Sequence, residues 1–545
     1  RRAAESILDL GRDVHEYWEN DKLQEIPGVG EAISAKIDEL LRTGQLEFLN
    51  KLTEEVPLGL VDVLKVGDVG PKKAALFWQE LGITTVEGLE DAARAGKLRQ
   101  LKGMGEKSEA RILDSIEALK RRETDRISIG LALPVAERLL DFLRRQPAVE
   151  RAEIGGSLRR YKETIGDIDI MVASDDPKAV MDAFLGESSV SRVKSRGETK
   201  ASVELVDGMA VQVWVHPPDR FGSALQYATG SQSHNVRLRE LALKQGLSLS
   251  EHGYKKEDGS EIVCRAEEDV YGHLGLPWIA PELREDRGEI QAAQAGELPD
   301  LIELSDLKGD LQSHSDWSDG SCTLLEMAQG AQAAGLEYLL MTDHSRSLGV
   351  ANGLSIERVA AQRTAIDEVQ AEMGDSFRLL AGIETEILAD GDLDYPDDVL
   401  SQFDVVLASL HTSLRQDGSR ITQRLLSAIN NPHVDIIGHP TGRLVGSRDP
   451  ADLDMEAVFK AAAERKVILE INANPERLDL KDVHARRAVE VGVMLSISSD
   501  AHHPDHFGLL RYGIGTARRA WVTAEQVINT RPVGAFLEWI ADRGK

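Results

Sequence analysis

Seven times between residues 300 and 545 the chain runs through one grammar: a helical stretch, an apolar strand, then a polar cluster where the strand ends. The clusters are Leu311-Gln-Ser-His314, Leu340-Met-Thr-Asp343-His344, Ala381-Gly-Ile-Glu384, Ala408-Ser-Leu-His411, Ile437-Gly-His439, Glu470-Ile-Asn472 and Ser498-Ser-Asp500-Ala-His502. Seven βα units imply a parallel barrel, whose strand C-termini meet on one rim where active sites sit. Nine of the 14 histidines lie in this segment, and five of them occupy the strand ends. A lone strand-end histidine is usually a hydrogen-bonded structural residue, and His433 and His484 are read that way. Five at converging ends, with Asp319, Asp343, Glu384 and Asp500, point to metal. Imidazole mixed with carboxylate suits Mn²⁺, Zn²⁺ or Fe²⁺, and several such ions together can activate water against a phosphate ester.

A second constellation lies upstream, where Gly155-Gly156-Ser157-Leu-Arg-Arg160 is followed by Gly166-Asp167-Ile168-Asp169. Side chains two apart on a strand face the same way, so Asp167 and Asp169 aim at one point and can hold Mg²⁺ or Mn²⁺. The glycine turn beside them, with its N–H groups and the Ser157 hydroxyl, can take phosphate. Joined, the two elements describe a nucleotidyl-transfer site with one ion on a triphosphate and a second on the attacking 3′-hydroxyl. Short apolar strands (152–154, 168–172, 210–215) alternating with helices such as 135–144 make this an α+β module.

Three glycine hairpins come first: Ile26-Pro-Gly28-Val-Gly30, Val66-Gly67-Asp-Val-Gly70 and Lys102-Gly103-Met-Gly105, each followed by a helical pattern. Their glycines permit tight turns, and the outward N–H groups of the next helix start can hold a phosphate. The net charge of −28 argues against non-specific attraction to nucleic acid. Yet Arg94 to Arg122 holds nine basic residues against four acids, so a local basic surface survives.

These residues carry a family resemblance. Asp310-Leu-Gln-Ser-His314 with Ser318-Asp319-Gly320, Thr342-Asp343-His344-Ser345, Gly382-Ile-Glu384, His411, Gly438-His439-Pro440 and Ser499-Asp500-Ala-His502 together resemble the PHP (polymerase and histidinol phosphatase) domain. The Gly-Gly-Ser and Asp-x-Asp run resembles the nucleotidyltransferase palm, and Tyr227-Ala-Thr229-Gly230-Ser231 with His234-Asn235 narrows the likeness to family X DNA polymerases. The hairpins resemble helix-hairpin-helix motifs, which grip DNA backbones without reading sequence. The resemblance implies a metal-dependent phosphoesterase with ligands His314, Asp319, His344, Glu384, His411, His439, Asp500 and His502, and Asp343 orienting its neighbour. It further implies Asp167 and Asp169 as catalytic metal ligands, and Gly156, Ser157, Arg160 and Gly166 at the triphosphate. Tyr227, Gly230 and Asn235 would lie on the sugar side, and Gly28, Gly30, Gly67, Gly70, Gly103 and Gly105 on DNA. Lys36 matches a position where some relatives form a Schiff base for lyase chemistry, although a solvated helix lysine is its ordinary reading.

Two departures stand out. Gln312 replaces the first histidine of the family's His-x-His, and its neutral amide is a poorer ligand, so the barrel is expected to hold two or three ions. Gln212 in Val211-Gln212-Val213-Trp214 stands where the family has a third aspartate, from which a rate loss on the order of 10²-fold is expected. Ala228, where the family often has an aromatic, weakens sugar discrimination.

At 545 residues, and about 150 per domain, the chain should hold three or four domains. The expected fold is multidomain α+β and α/β: a helical helix-hairpin-helix region, a nucleotidyltransferase palm, then a distorted (β/α)7 PHP barrel. Expected boundaries are 1–52 (N-terminal helical domain), 53–125 (fingers with two hairpins), 126–220 (palm), 221–282 (thumb), 283–302 (polar linker) and 303–545 (barrel). The chain starts at Arg1 inside an amphipathic pattern, so residues upstream are expected. Two cysteines provide no disulfide framework, and no run nears the ~18 apolar residues of a membrane span, so a cytoplasmic protein without membrane partners is expected. The first functional reading is a DNA-repair polymerase acting with dNTPs on gapped, nicked or 3′-end DNA, its barrel a Mn²⁺-dependent 3′–5′ exonuclease. The alternative is a DNA-bound PHP nuclease or phosphatase with a weak palm, and a third is a non-enzymatic scaffold, against which the eight metal ligands argue.

Overall fold

In the computed structural model, which describes residues 3, 6–7, 14–26, 28–49, 51, 56–57, 59–64, 66, 69–101, 103–124 and 126–543, the chain divides into two compact units, Val14–Ile127 and Ser128–Lys545. In the first, helices α1 (Glu31–Thr43), α2 (Pro71–Leu81) and α3 (Glu106–Thr124) follow directly on Gly30, Gly70 and Gly105. The three starts repeat one hydrogen-bond pattern. Gly30 O accepts from Ile33 and Ser34, Gly70 O from Lys73 and Ala74, and Gly105 O from Ser108 and Glu109. Gly28 and Gly103 lie in the left-handed region at φ 84° and 82°, which the turn requires and glycine adopts without penalty. A Cβ at Gly30, Gly70, Gly103 or Gly105 would meet nothing within 4 Å, so these turns present open backbone. Gly67 lies outside the described residues.

The second unit begins with a five-stranded sheet of β1 (Arg151–Ile154), β2 (Ile168–Ala173), β3 (Val190–Arg196), β4 (Lys200–Leu205) and β5 (Ala210–His216), in the order β1-β2-β5-β4-β3. Only β2 and β5 pair in parallel, with Asp169 opposite Gln212. Val211, Val213 and Val215 are buried, which turns the alternate residue Gln212 to the other face. A small antiparallel sheet follows, β6 (Leu247–Ser250), β7 (Gly253–Lys256) and β8 (Glu261–Ile262).

The stretch from 283, expected as a polar linker, instead carries helix α7 (Glu289–Ala295), with Leu283, Arg284, Glu289 and Ile290 buried. Its polar residues lack apolar periodicity because they pair internally. Glu267 takes Arg159 Nη2 at 2.7 Å and Arg284 Nη1 at 2.6 Å, and His234 Nδ1 lies 2.6 Å from Glu289 Oε1. Burial opposes ionisation of Glu267, but Arg284 and Arg159 outweigh it and hold the carboxyl at about 2. A carboxylate depressed from about 4.5 contributes stability that is present above that value and lost as pH falls toward 2. The melting temperature is therefore expected to drop between pH 4.5 and 2, and less steeply in Glu267→Gln, as calorimetry would read.

Seven parallel strands in chain order form the barrel: β9 (Gly309–Asp310), β10 (Tyr338–Met341), β11 (Arg378–Glu386), β12 (Val405–Ser409), β13 (Ile436–Ile437), β14 (Ile468–Asn472) and β15 (Leu495–Ser498). A bridge between Ser313 and Ala501 joins the two ends, and Asn529 Nδ2 donates to both Gly309 O and Ile497 O at 2.7 Å. Alternation splits each strand. Tyr338, Leu340, Leu380, Val405, Leu407, Ile436 and Ile468 pack in the interior with Phe536 and Ile540 of the C-terminal helix, while Leu339, Met341, Ala381, Val406 and Ala408 pack under the surrounding helices. Among the described residues no helix is long and apolar enough to cross a membrane.

Candidate active sites

The interior-facing series places the barrel's polar side chains. Stepping two residues at a time, Leu340 leads to His344, Leu380 to Glu384 and Glu386, Leu407 to His411, and Ile468 to Glu470 and Asn472. Their side chains therefore leave the apolar core and enter its mouth.

Glu384, buried, is the hub. Its Oε1 lies 3.0 Å from His439 Nε2 and 3.3 Å from His411 Nε2, and its Oε2 3.2 Å from His344 Nδ1 and 3.4 Å from His314 Nε2. Among the described residues neither oxygen has a hydrogen-bond partner, nor has either nitrogen of His314. Buried polar atoms left orphaned in such number fit a cation. Two groups draw together within ligand range, His314, Asp319, His344 and His502, and His344, Glu384 and His411. Asp500 adds its Oδ1, 3.2 Å from His314 Nε2. All eight sequence-predicted barrel residues thus meet at one mouth. Asp500 and His439 sit at φ 56° and 26°, a strain of about 1–3 kcal/mol each that the surrounding fold sustains.

Packed this closely, the imidazoles and carboxylates of the mouth shift one another's protonation. Burial opposes protonation of His411, but Glu384 and Glu386 prevail and raise the imidazole to about 10. His502, likewise opposed by burial, is raised to about 9 by Asp319 and Asp500. Burial would raise Asp319 and Asp500, but the imidazoles around them hold both carboxyls well below the usual range.

Several residues escaped the sequence reading. Glu386 holds His411, with its Oε2 2.8 Å from Nδ1, and receives Thr412 Oγ1 at 2.7 Å. Its spacing from Glu384, two residues on one strand, is the signal that could have found it. Asp310 fixes the opposite side by accepting the Ser499 and Gln312 backbone N–H groups. Asp343, which the resemblance implied as orienting its neighbour, accepts from Ser315 N, Ser315 Oγ, Ser318 Oγ and Gln362 Nε2, so it holds the loop carrying Asp319. Beside Gln312, Asn472 Nδ2 points at Gln312 Oε1 (3.4 Å), Glu470 Oε2 (3.3 Å) and Asp500 Oδ2 (3.1 Å). Arg477 Nε lies 3.5 Å from Asp500 Oδ2, on a loop with no periodic signal.

In the palm, helix α4 (Gly156–Arg159) starts at the glycine turn, and Gly155 N–H donates to Asp169 O at 2.8 Å. Gly156 has φ 62°, and a Cβ there would lie 2.4 Å from Asp169 Oδ2, so only glycine lets turn and carboxylate approach. Burial, then the neighbouring Asp167, raise the Asp169 carboxyl to about 7, as expected of paired, buried acids. Gln212 Nε2 donates to Asp167 Oδ2, so the amide bonds an oxygen that a metal would take. Neither nearby acid substitutes for it: Glu204 pairs opposite Ala210 and meets Lys194 at 3.0 Å, and Asp207 caps its own turn at Met209 N. Asn235 Nδ2 donates to Tyr227 O at 2.8 Å and Arg160 Nη1 to Thr229 O, which gathers Arg160, Tyr227, Gly230 and Asn235. Ser157 lies in the first turn of α4, and Gly166 is exposed just before Asp167. Lys36 is in the other unit, its Nζ 3.8 Å from the centre of the Phe48 ring.

A nearly closed βα barrel with a mouth of imidazoles and carboxylates, preceded by a sheet with paired aspartates beside a glycine turn, defines a chain of two enzyme modules, phosphoesterase and nucleotidyltransferase in type. Residues 310–474 match the PHP domain family, 224–285 the DNA polymerase beta thumb, and 60–120 the SAM-like helix-hairpin-helix tandem. The chain is 39% identical over 545 residues to the DNA polymerase/3'-5' exonuclease PolX of Bacillus subtilis (strain 168), covering 99% of this chain and 94% of that protein. It is 31% identical over 232 residues to a probable phosphatase of Thermoanaerobacter sp. (strain X514), covering 41% of this chain and 89% of that one. To DNA polymerase lambda of Rattus norvegicus it is 28% identical over 332 residues, about half of each chain. The chain belongs to the bacterial family X DNA polymerases that carry a PHP domain.

Proposed function

We propose that this enzyme adds nucleotides to 3′ ends at short gaps in DNA and removes them with its barrel, in the cytoplasm and in the service of repair. The observation that carries the reading is the meeting of His314, His344, His411 and His439 on the orphaned oxygens of Glu384. The domain limits expected from sequence, apart from the linker at 283–302, serve as the working division, with glycine hairpins on the DNA backbone, the palm and thumb on primer end and dNTP, and the barrel on the 3′ end.

Divalent ions bound in these sites, Mn²⁺ preferred in the barrel and Mg²⁺ or Mn²⁺ in the palm, supply Lewis-acid stabilisation of phosphate and its attacking oxygen. The chain's own residues do the rest. His314, Asp319, His344, Glu384, His411, His439, Asp500 and His502 hold the barrel ions, and Glu386 fixes the His411 ring. In the palm Asp167 and Asp169 hold ions, while Gly156, Ser157, Arg160 and Gly166 receive the triphosphate, and Tyr227, Gly230 and Asn235 the sugar.

One observation favours a second reading, a PHP nuclease with a weak palm: Gln212 occupies Asp167 by hydrogen bonding. A 5′-labelled primer in a one-nucleotide gap, incubated with Mn²⁺ with and without dNTPs, separates the two. Extension supports the first and shortening alone supports the second, while undiminished hydrolysis in EDTA would remove the metal assignment. Gly156→Ala, which drives a methyl into Asp169, is expected to abolish extension and leave shortening within twofold of wild type.

A further inference from the structure

The barrel reaches into the palm. Helix α8 (Leu510–Arg519) of the barrel ends in Arg519, whose side chain is only 4% exposed. Its Nη1 donates to the main-chain oxygen of Arg160 at 2.7 Å and to Glu285 Oε1 at 2.9 Å, and its Nη2 meets Asp482 Oδ2 at 2.8 Å. Glu285 in turn takes Arg160 Nε at 3.0 Å and faces Lys162 Nζ at 3.7 Å. One turn back on α8, Gly515 receives the Tyr161 ring, and a Cβ there would lie 2.0 Å from Tyr161 Cδ1. Three consecutive palm residues, Arg160, Tyr161 and Lys162, are therefore seated by the barrel helix and by Glu285.

Arg160 is the residue through which this seating matters. Its Nη1 donates to Thr229 O, and a Cβ on Gly230 would stand 3.1 Å from that nitrogen. Arg160 thus ties the end of the glycine-turn helix to the Thr229-Gly230 turn, the two walls of the proposed nucleotide site. Both its backbone oxygen and its guanidinium are held through Arg519, directly and by way of Glu285. Guanidinium suits the task, since one planar fork reaches a carbonyl and two carboxylates at once, which an ammonium cannot match.

We propose that Arg519 is a positioning residue for dNTP binding: the barrel helix sets Arg160, so the palm's affinity for nucleotide depends on the barrel. This rests on the palm reading above. The observations that carry it are the shared Glu285 and the Gly515–Tyr161 contact, neither of which involves a barrel metal ligand.

Two variants of the full chain test it, each measured for dNTP KM at a one-nucleotide gap, dissociation constant for Mg²⁺·dNTP, and rate of 3′-end hydrolysis without dNTP. Arg519→Gln is expected to raise KM and dissociation constant about tenfold or more, as small displacements of a positioning group do, with hydrolysis within twofold and partial recovery in Arg519→Lys. Should loss of the buried charge unfold that protein, Gly515→Ala keeps every charge, favours its helix and moves only Tyr161, and the same rise in KM is expected. Wild-type protein that binds dNTP while folded Gly515→Ala and Arg519→Gln match it within twofold overturns this proposal alone. Wild-type protein that binds no dNTP overturns the palm reading and this proposal with it. Equal loss of hydrolysis and nucleotide binding in both variants marks a general structural role and also overturns it.

Discussion

Gln212→Asp is expected to raise the rate of nucleotide addition about 10²-fold, the scale of one restored electrostatic stabiliser at a reacting centre. Asp169 and residue 212 stand opposite each other on parallel strands, and Gln212 Nε2 reaches Asp167, so an aspartate there would complete a triangle of carboxylates without moving the backbone. The amide now plays a cation's part by donating to Asp167, and an ion entering the palm must displace that bond. The substitution also carries a cost. Asp169 is already raised to about 7 by burial and by Asp167, and a third acid adds repulsion that only a cation relieves. The variant is therefore expected to melt below wild type in EDTA and to recover with Mg²⁺ by a larger margin than wild type does. Single-turnover extension at a gap and paired melting curves check both halves. A rate unchanged within twofold would mean that residue 212 lies outside the reacting centre.

How far the sequence reached is decided by periodicity. The seven strand ends and five histidines were legible because a two-residue repeat carries both the barrel interior and its mouth, and that repeat survives in letters. Asp167 and Asp169 were legible for the same reason. Glu386 obeyed the identical rule beside Glu384 but was passed over, since its role lies in holding His411 rather than in the ligand set. The residues around Arg284 and Glu289 were misread because buried ion pairs look, letter by letter, like a solvated linker; burial of Glu267, Arg284 and Glu289 comes from partners far apart in sequence. Arg519 had no signal at all, as its three partners come from the palm, the end of the thumb and another barrel helix.

Glu384→Gln is expected to lower 3′-end hydrolysis about 10³-fold and to remove at least one divalent ion per chain, with extension at a gap unchanged. Among the described residues no other in the mouth faces four imidazoles, and an amide would present them with a donor where each ion needs charge. The same geometry fixes the pH dependence. In metal-free protein the carboxylates around them raise His411 to about 10 and His502 to about 9, so both are expected to carry protons at pH 8. Ligating imidazoles must be neutral, so loading the barrel at pH 8 should release about two protons, and affinity should weaken as pH falls. Calorimetric titration of Mn²⁺ into chelator-treated protein, in two buffers of different ionisation enthalpy, counts those protons directly. In Glu384→Gln one of the two carboxylates that raise His411 is gone and Glu386 stays, so somewhat fewer protons should be released along with fewer ions. Metal analysis showing undiminished ion content in the variant, with hydrolysis intact, would take Glu384 out of the site.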